Sequence, residues 1–240
     1  MLSNLIEDWA RNIAKHVGRL VAKTGLTPNM VTIIGFLLNF PVAYVLGQGS
    51  FLLGGFLILF AGAFDMLDGA VARATGKMTK FGAFLDSTLD RYSEIVVLLG
   101  LLLFYRSEAG LTGEKMGGSI LVYIAITGSL MVSYVKARSE GLQIAMKGVG
   151  LLPRPERVVM LAIACILTPV FNEIAMIIVL WVLAVGTNLT AFQRIMYVWL
   201  TASKELKKET QTLKENKEKE DEKSETLTRK RWSFRRVDGR

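Results

Sequence analysis

The chain has 240 residues, of which 51% are hydrophobic before glycine is counted, and a mean hydropathy of +0.38. Soluble domains reach roughly 45–50% apolar only with glycine included, so this composition excludes an ordinary soluble domain and a disordered chain alike. The net charge of +8 is unevenly spread: residues 203–240 hold 13 basic and 9 acidic side chains, against 16 and 12 in residues 1–202.

Residues 1–22 place Leu2, Leu5, Ile6, Trp9, Ile13, Leu20 and Val21 at helical spacing, with Glu7, Asp8, Arg11, Lys15 and Arg19 on the other face. That pattern predicts an amphipathic helix, either lying in the membrane interface or packed on the protein's own polar side. The early acids and the missing short apolar core argue against a cleavable signal peptide. His16, with no second His or Cys near it, reads as a surface residue.

From Thr24 to Phe64 no residue is charged. This is enough for two membrane spans of about 20 residues each, with Gly47-Gln48-Gly49-Ser50 as the turn. A third span runs from about Phe81 to Tyr105, a fourth from Gly118 to Val135, and a fifth from Arg154 or Val158 to Phe171, with Pro169 expected to end it. A sixth runs from Ile174 to Gln193. The chain thus reads as an all-α integral membrane protein: six transmembrane helices over residues 24–202, an N-terminal interfacial helix at 1–22, and a charged tail at 203–240. The tail alternates Lys and Glu and ends in Arg229-Lys230-Arg231 and Arg235-Arg236, which predicts a solvated helix fraying into disorder. Cys165, alone in an apolar run, excludes a disulfide framework and a thiolate zinc cluster.

Basic residues fall on one side. Lys15, Arg19 and Lys23 precede the first span, Arg73, Lys77 and Lys80 lie between the second and third, and Lys136, Arg138, Lys147, Arg154 and Arg157 between the fourth and fifth. The opposite turns are uncharged, balanced or acidic. The positive-inside rule therefore puts both termini and these loops in the cytoplasm, with the plasma membrane as the expected location.

Four aspartates interrupt this apolar pattern. Asp65 and Asp68 share a face at the end of the second span, and Asp86 and Asp90 share one at the start of the third. Joined by a short turn, the two helices are expected to be antiparallel neighbours whose carboxylates converge at the membrane boundary. One carboxylate in the bilayer costs roughly 2.5–3.5 kcal/mol, and four repel one another, so a cation must compensate. Carboxylate oxygens suit Mg²⁺ or Mn²⁺, and paired ions of this kind serve displacement at phosphorus. Gly69, Ala72 and Gly82 leave room beside the acids, and Arg73 offers a fork of donors to a pyrophosphate.

Asp65-x2-Asp68-Gly69-x2-Ala72-Arg73-x8-Gly82-x3-Asp86-x3-Asp90 resembles the signature of the CDP-alcohol phosphotransferases at all eight fixed positions. A chance match in a chain this long is on the order of 10⁻⁸. The resemblance implies six transmembrane helices, a homodimer, and two ions held by Asp65, Asp68 and Asp86. It implies Asp90 as general base on the incoming alcohol, touching a metal as well, and Asn29, Thr32, Gly69, Arg73, Thr79 and Gly82 about the CDP moiety. The donor implied is a CDP-activated lipid, CDP-diacylglycerol or CDP-archaeol, with CMP released. Read from the residues alone, Thr79 also suits a helix cap.

The motif does not name the acceptor. Ser133, Lys136 and Arg138 end the fourth span, Arg154 and Arg157 begin the fifth, and Arg194 follows a polar Thr187-Asn188-x-Thr190 run in the sixth. Each alone reads as a snorkelling anchor; together they suit an acceptor that carries a phosphate. The Ser-Tyr-x-Lys-Ala-Arg-x-Glu segment is similar to the inositol-phosphate-using branch of that family. This similarity implies that Ser133, Lys136, Arg154 and Arg194 hold the phosphate of an inositol phosphate, although Pro153 stands where that branch often has an acid. Glycerol 3-phosphate, as in a phosphatidylglycerophosphate synthase, is the alternative acceptor. A metal-ion or proton transporter is the alternative of another class, but it would favour midplane sites in repeated halves, and no repeat is present. Nucleic acid is not an expected partner.

Overall fold

The computed structural model describes residues 25–109, 116–146 and 148–237. The amphipathic helix expected at 1–22 lies outside the described residues. Those described form seven helical segments and no strand: α1 Pro28–Leu37, α2 Asn39–Gly47, α3 Phe51–Thr75, α4 Lys80–Ala109, α5 Met116–Gly141, α6 Arg154–Phe171 and α7 Glu173–Val237.

The first expected span is present but broken at Leu38. Pro41 has no N–H to give the Leu37 carbonyl, which interrupts the ladder. At the break Asn39 Nδ2 donates to the Gly35 carbonyl at 2.9 Å and to Ser93 Oγ of a later helix at 3.1 Å. Thr27 starts α1, its hydroxyl accepting from the Met30 N–H at 3.3 Å, with Pro28 at the first helical position.

Two sequence expectations need correcting. Pro169 does not end α6; it sits inside the last turn, and the helix stops at Phe171, where Asn172 turns at φ 55°. The charged tail is the helix expected of it, but it runs on from the apolar part of α7 as far as Val237 without fraying over that length. Its extension is rich in Lys and Glu, both strong helix formers.

Among the described residues, four stretches are long and apolar enough to cross a membrane: Pro28–Gly47, Phe51–Thr75, Gly117–Gly141 and Glu173–Lys214. α4 and α6 fall outside that group because both carry charge into their length. α4 contains Asp86, Asp90, Arg91 and Glu94, and α6 opens with Arg154, Glu156 and Arg157. Phe56, Phe60, Tyr123 and Trp181 are each more than half exposed, an outward apolar surface suited to lipid. Leu46, Leu101, Tyr105, Val122, Met176 and Leu180 are fully buried between the helices. The protein is an all-helical membrane protein.

Packing then sets the site. α2 lies along α4, α3 along α6, α4 along α5, and α5 and α6 along α7, while α1 contacts both α3 and α4. α3 and α4, expected as direct neighbours, are not packed along each other. α1 bridges them at one end, and their acids face one another across a gap.

Candidate active site

The turn between α3 and α4 is short because Gly76, at φ 66°, caps α3 in the left-handed region that glycine enters without strain. Thr79 opens α4, its Oγ1 accepting from the Gly82 N–H at 2.9 Å. This reversal turns Asp65 and Asp68 toward Asp86 and Asp90. Asp65, Asp86 and Asp90 each present an oxygen within 4.8 Å of the others.

Asp68 stands slightly apart. It is buried, accepts from Thr32 Oγ1 at 2.7 Å and from the Gly69 N–H, and reaches Asp86. Thr32, expected beside the CDP moiety, is here the residue that orients a carboxylate. Asn29, Thr79 and Gly82 do come together: a Cβ on Gly82 would lie 3.1 Å from both Asn29 Oδ1 and Thr79 Oγ1. A Cβ on Gly69 would lie 3.2 Å from Arg73 Nη1, so a larger residue would push the exposed arginine aside.

The four residues expected at the acceptor phosphate take different positions. Arg154 reaches into the acids, its Nη1 2.9 Å from Asp65 Oδ2 and 2.7 Å from Asp90 Oδ1. Lys136 is exposed on α5 and pairs with Glu140 at 3.8 Å, while Ser133 is half-buried on the same helix. Arg194 is buried and donates to the Val132 and Val149 carbonyls at 2.7 and 3.0 Å. It ties the segment before α6 to α5 and α7, an anchoring contact that the sequence could not show.

Two contacts escaped the sequence altogether. Arg157 holds Glu94 with both arms, Nε to Oε1 at 2.7 Å and Nη2 to Oε2 at 2.9 Å, and gives Nη1 to the Leu152 carbonyl at 2.8 Å. Asn39 and Ser93 meet on the wall of a cavity of about 470 Å³. Asp65 and Arg154 line this cavity too, and Ile58, Leu98, Val158 and Leu183 make much of it apolar. Asn39 stood out as a polar residue inside an apolar run, and Arg157 and Glu94 only as charges at the edge of one; which residue each would meet was not legible.

The acids suit a divalent cation on an observation of their own. Asp90 Oδ1 is buried and has no aligned hydrogen bond, although Arg154 Nη1 stands 2.7 Å away and donates to Asp65. A buried carboxylate oxygen left this way keeps a lone pair that a hard cation can use.

The model of the family described as CDP-alcohol phosphatidyltransferase matches residues 25–187. The chain belongs to this family. It is 37% identical over 199 residues to an archaetidylinositol phosphate synthase of Pyrococcus horikoshii, covering 81% of this chain and 95% of that one. Its fold is similar to a crystal structure of Mycobacterium tuberculosis phosphatidylinositol phosphate synthase with CDP-DAG bound. The TM-score is 0.71 at 33% identity, over 78% of this chain and 94% of that one. The same mycobacterial enzyme in complex with manganese and citrate gives a TM-score of 0.70 at 33% identity, over 78% and 88% of the two chains. This CDP-alcohol phosphatidyltransferase is accordingly a membrane-embedded transferase, and its eight signature residues occupy the facing ends of α3 and α4.

Proposed function

We propose that this enzyme transfers the phosphatidyl group, or its ether-lipid counterpart, from a CDP-activated lipid to an inositol phosphate and releases CMP. The observation that carries the reading is the meeting of Asp65, Asp86 and Asp90 at the edge of a largely apolar cavity. That arrangement pairs a hard, anionic reaction centre with space for an apolar substrate portion. The names of the relatives support the acceptor.

Asp65, Asp68, Asp86 and Asp90 would hold two Mg²⁺ or Mn²⁺ ions. When bound, these supply charge neutralisation of the pyrophosphate and a Lewis-acid pull on its oxygens. Asp90 takes the proton from the acceptor hydroxyl, whose oxygen bonds to the lipid-side phosphorus as the bond from that phosphorus to the CMP oxygen breaks. Thr32 keeps Asp68 oriented through its 2.7 Å hydrogen bond. Asn29, Gly69, Arg73, Thr79 and Gly82 receive the CDP moiety, glycine at 69 and 82 letting the nucleotide approach the backbone. Ser133, Lys136 and Arg154 gather the acceptor phosphate from α5 and α6, and Arg194 of α7 holds the segment before α6 in place beside them through the Val132 and Val149 carbonyls.

In the same reading six spans cross the plasma membrane, with the acids and both termini on the cytoplasmic side, and the enzyme acts as a homodimer. Residues 24–202 form the catalytic body, and the charged extension at 203–240 stands outside it.

The test is a panel of acceptors (inositol phosphate, inositol, glycerol 3-phosphate, serine) offered with CDP-diacylglycerol and with CDP-archaeol, scored by lipid product. Inositol phosphate should give the dominant product, and CMP release should require added metal. Asp68→Ala should lose metal binding and turnover together. A product with glycerol 3-phosphate alone would move the assignment to that acceptor, and no CMP release under any condition would overturn it.

A further inference from the structure

Arg154 contacts the acids through a single nitrogen, whereas Arg157, three residues on, engages its partners with three. Arg157 is 3% exposed and held by Glu94 and a backbone carbonyl. The Arg154 side chain is 31% exposed, and its buried Nε has no hydrogen-bond partner. Its backbone lies between Pro153 and Pro155, whose rings limit local rotation, so movement falls to the side chain's own torsions. Two carboxylates share Nη1, and only Asp65 receives an aligned hydrogen bond. An arginine held in this way can leave the site.

The oxygens it contacts, Asp65 Oδ2 and Asp90 Oδ1, belong to the residues best placed to ligate a cation. A divalent ion needs those lone pairs at about 2.0–2.2 Å, too close for a guanidinium to keep its present contact. The two cations compete for one set of acids. Freed from them, the guanidinium still lies beside the cavity that Arg154 and Asp65 both line, where it can offer its planar donors to a phosphate.

We propose that Arg154 is a displaceable counter-ion: it neutralises Asp65 and Asp90 until a divalent cation takes their oxygens, and its release couples cation loading to capture of the acceptor phosphate. The inference rests on the proposed metal and acceptor reading and adds an order to it. Cation and acceptor phosphate then bind with positive coupling, each strengthening the other by the same factor.

The experiment measures Mn²⁺ binding to the purified full chain by the loss of the free-ion electron paramagnetic resonance signal. It compares wild type, Arg154→Gln, Arg154→Lys and Asp65→Asn. Inositol 1-phosphate binding is then titrated calorimetrically with and without Mn²⁺. Arg154→Gln should bind Mn²⁺ about tenfold more tightly than wild type, since a charge-assisted contact no longer competes. Wild type should bind inositol 1-phosphate more tightly with Mn²⁺ present, and Arg154→Gln should lose that difference. Arg154→Lys, a point charge without the fork, should fall between the two and carries the test if the glutamine variant does not fold. If wild type binds Mn²⁺ and Asp65→Asn does not, but Arg154→Gln binds it equally or more weakly, the counter-ion role is overturned while the metal reading survives. If wild type binds no Mn²⁺, both are overturned.

Discussion

Two arginines of α6 each meet acidic partners from other helices, and they do opposite things. Arg157 and Glu94 form a buried, two-armed pair whose donors and acceptors match, with the third guanidinium nitrogen on the Leu152 carbonyl. Arg154 faces two acids with one nitrogen and leaves Asp90 Oδ1 without an aligned donor. Matched hydrogen bonds make a fixed joint between α4 and α6. Mismatched ones make a corner whose charge balance another cation can take over. The comparison teaches that counting ion pairs says little about role; the number of satisfied donors and acceptors says more.

Substitutions at the acids and at the fixed joint test this difference. The largest effect belongs to Asp90→Asn, which should cut CMP release by about 10²- to 10⁴-fold by removing the general base, and weaken Mn²⁺ binding far less than Asp68→Ala, because the amide keeps one ligating oxygen. Near-normal turnover would take the proton-transfer role away from Asp90. At the fixed joint, Glu94→Ala leaves Arg157 buried without its partner and should destabilise the protein by about 3–5 kcal/mol. Thermal unfolding in detergent would report this as a lowered Tm; an unchanged Tm would mean that the joint bears no load. Thr32→Val removes the hydrogen bond that orients Asp68 and should weaken Mn²⁺ affinity about 10- to 100-fold. Equal affinity would show that Asp68 needs no such support. Smallest is Lys136→Ala, which should raise the acceptor KM about 2- to 10-fold and leave the CDP-lipid KM in place. Its exposed 3.8 Å pair with Glu140 adds little, so Tm should not move. A rise in the CDP-lipid KM alone would transfer Lys136 to the nucleotide side.

The aspartates were legible because charge inside an apolar run is costly and its spacing on a helix is fixed by the period. Thr79 was legible as a cap for a similar local reason, the three-residue distance to the Gly82 N–H. The break at Leu38 had a local cause in Pro41, but an uncharged run hides it when only length and hydropathy are read. The direct packing expected of α3 on α4 failed on a non-local fact. α1 contacts both, which the order of apolar runs does not encode. The basic residues at the helix ends showed the least. Each alone read as a helix-end anchor and only together did they suit a phosphate; Arg194 donates to backbone carbonyls of Val132 and Val149, and Arg157 holds Glu94.

Residue order alone carries an all-helical membrane body, the clustering of basic residues in a few connecting segments, and the four acids on two helix ends. These follow from hydropathy and from the 3.6-residue period, both local properties of the chain. Only the tertiary structure decided that Asp65, Asp86 and Asp90 meet while Asp68 turns to Thr32, and that Arg154 rather than Arg157 stands among them. Which donor reaches which acceptor depends on how helices distant in sequence are set against one another, and that is fixed by packing across the whole bundle.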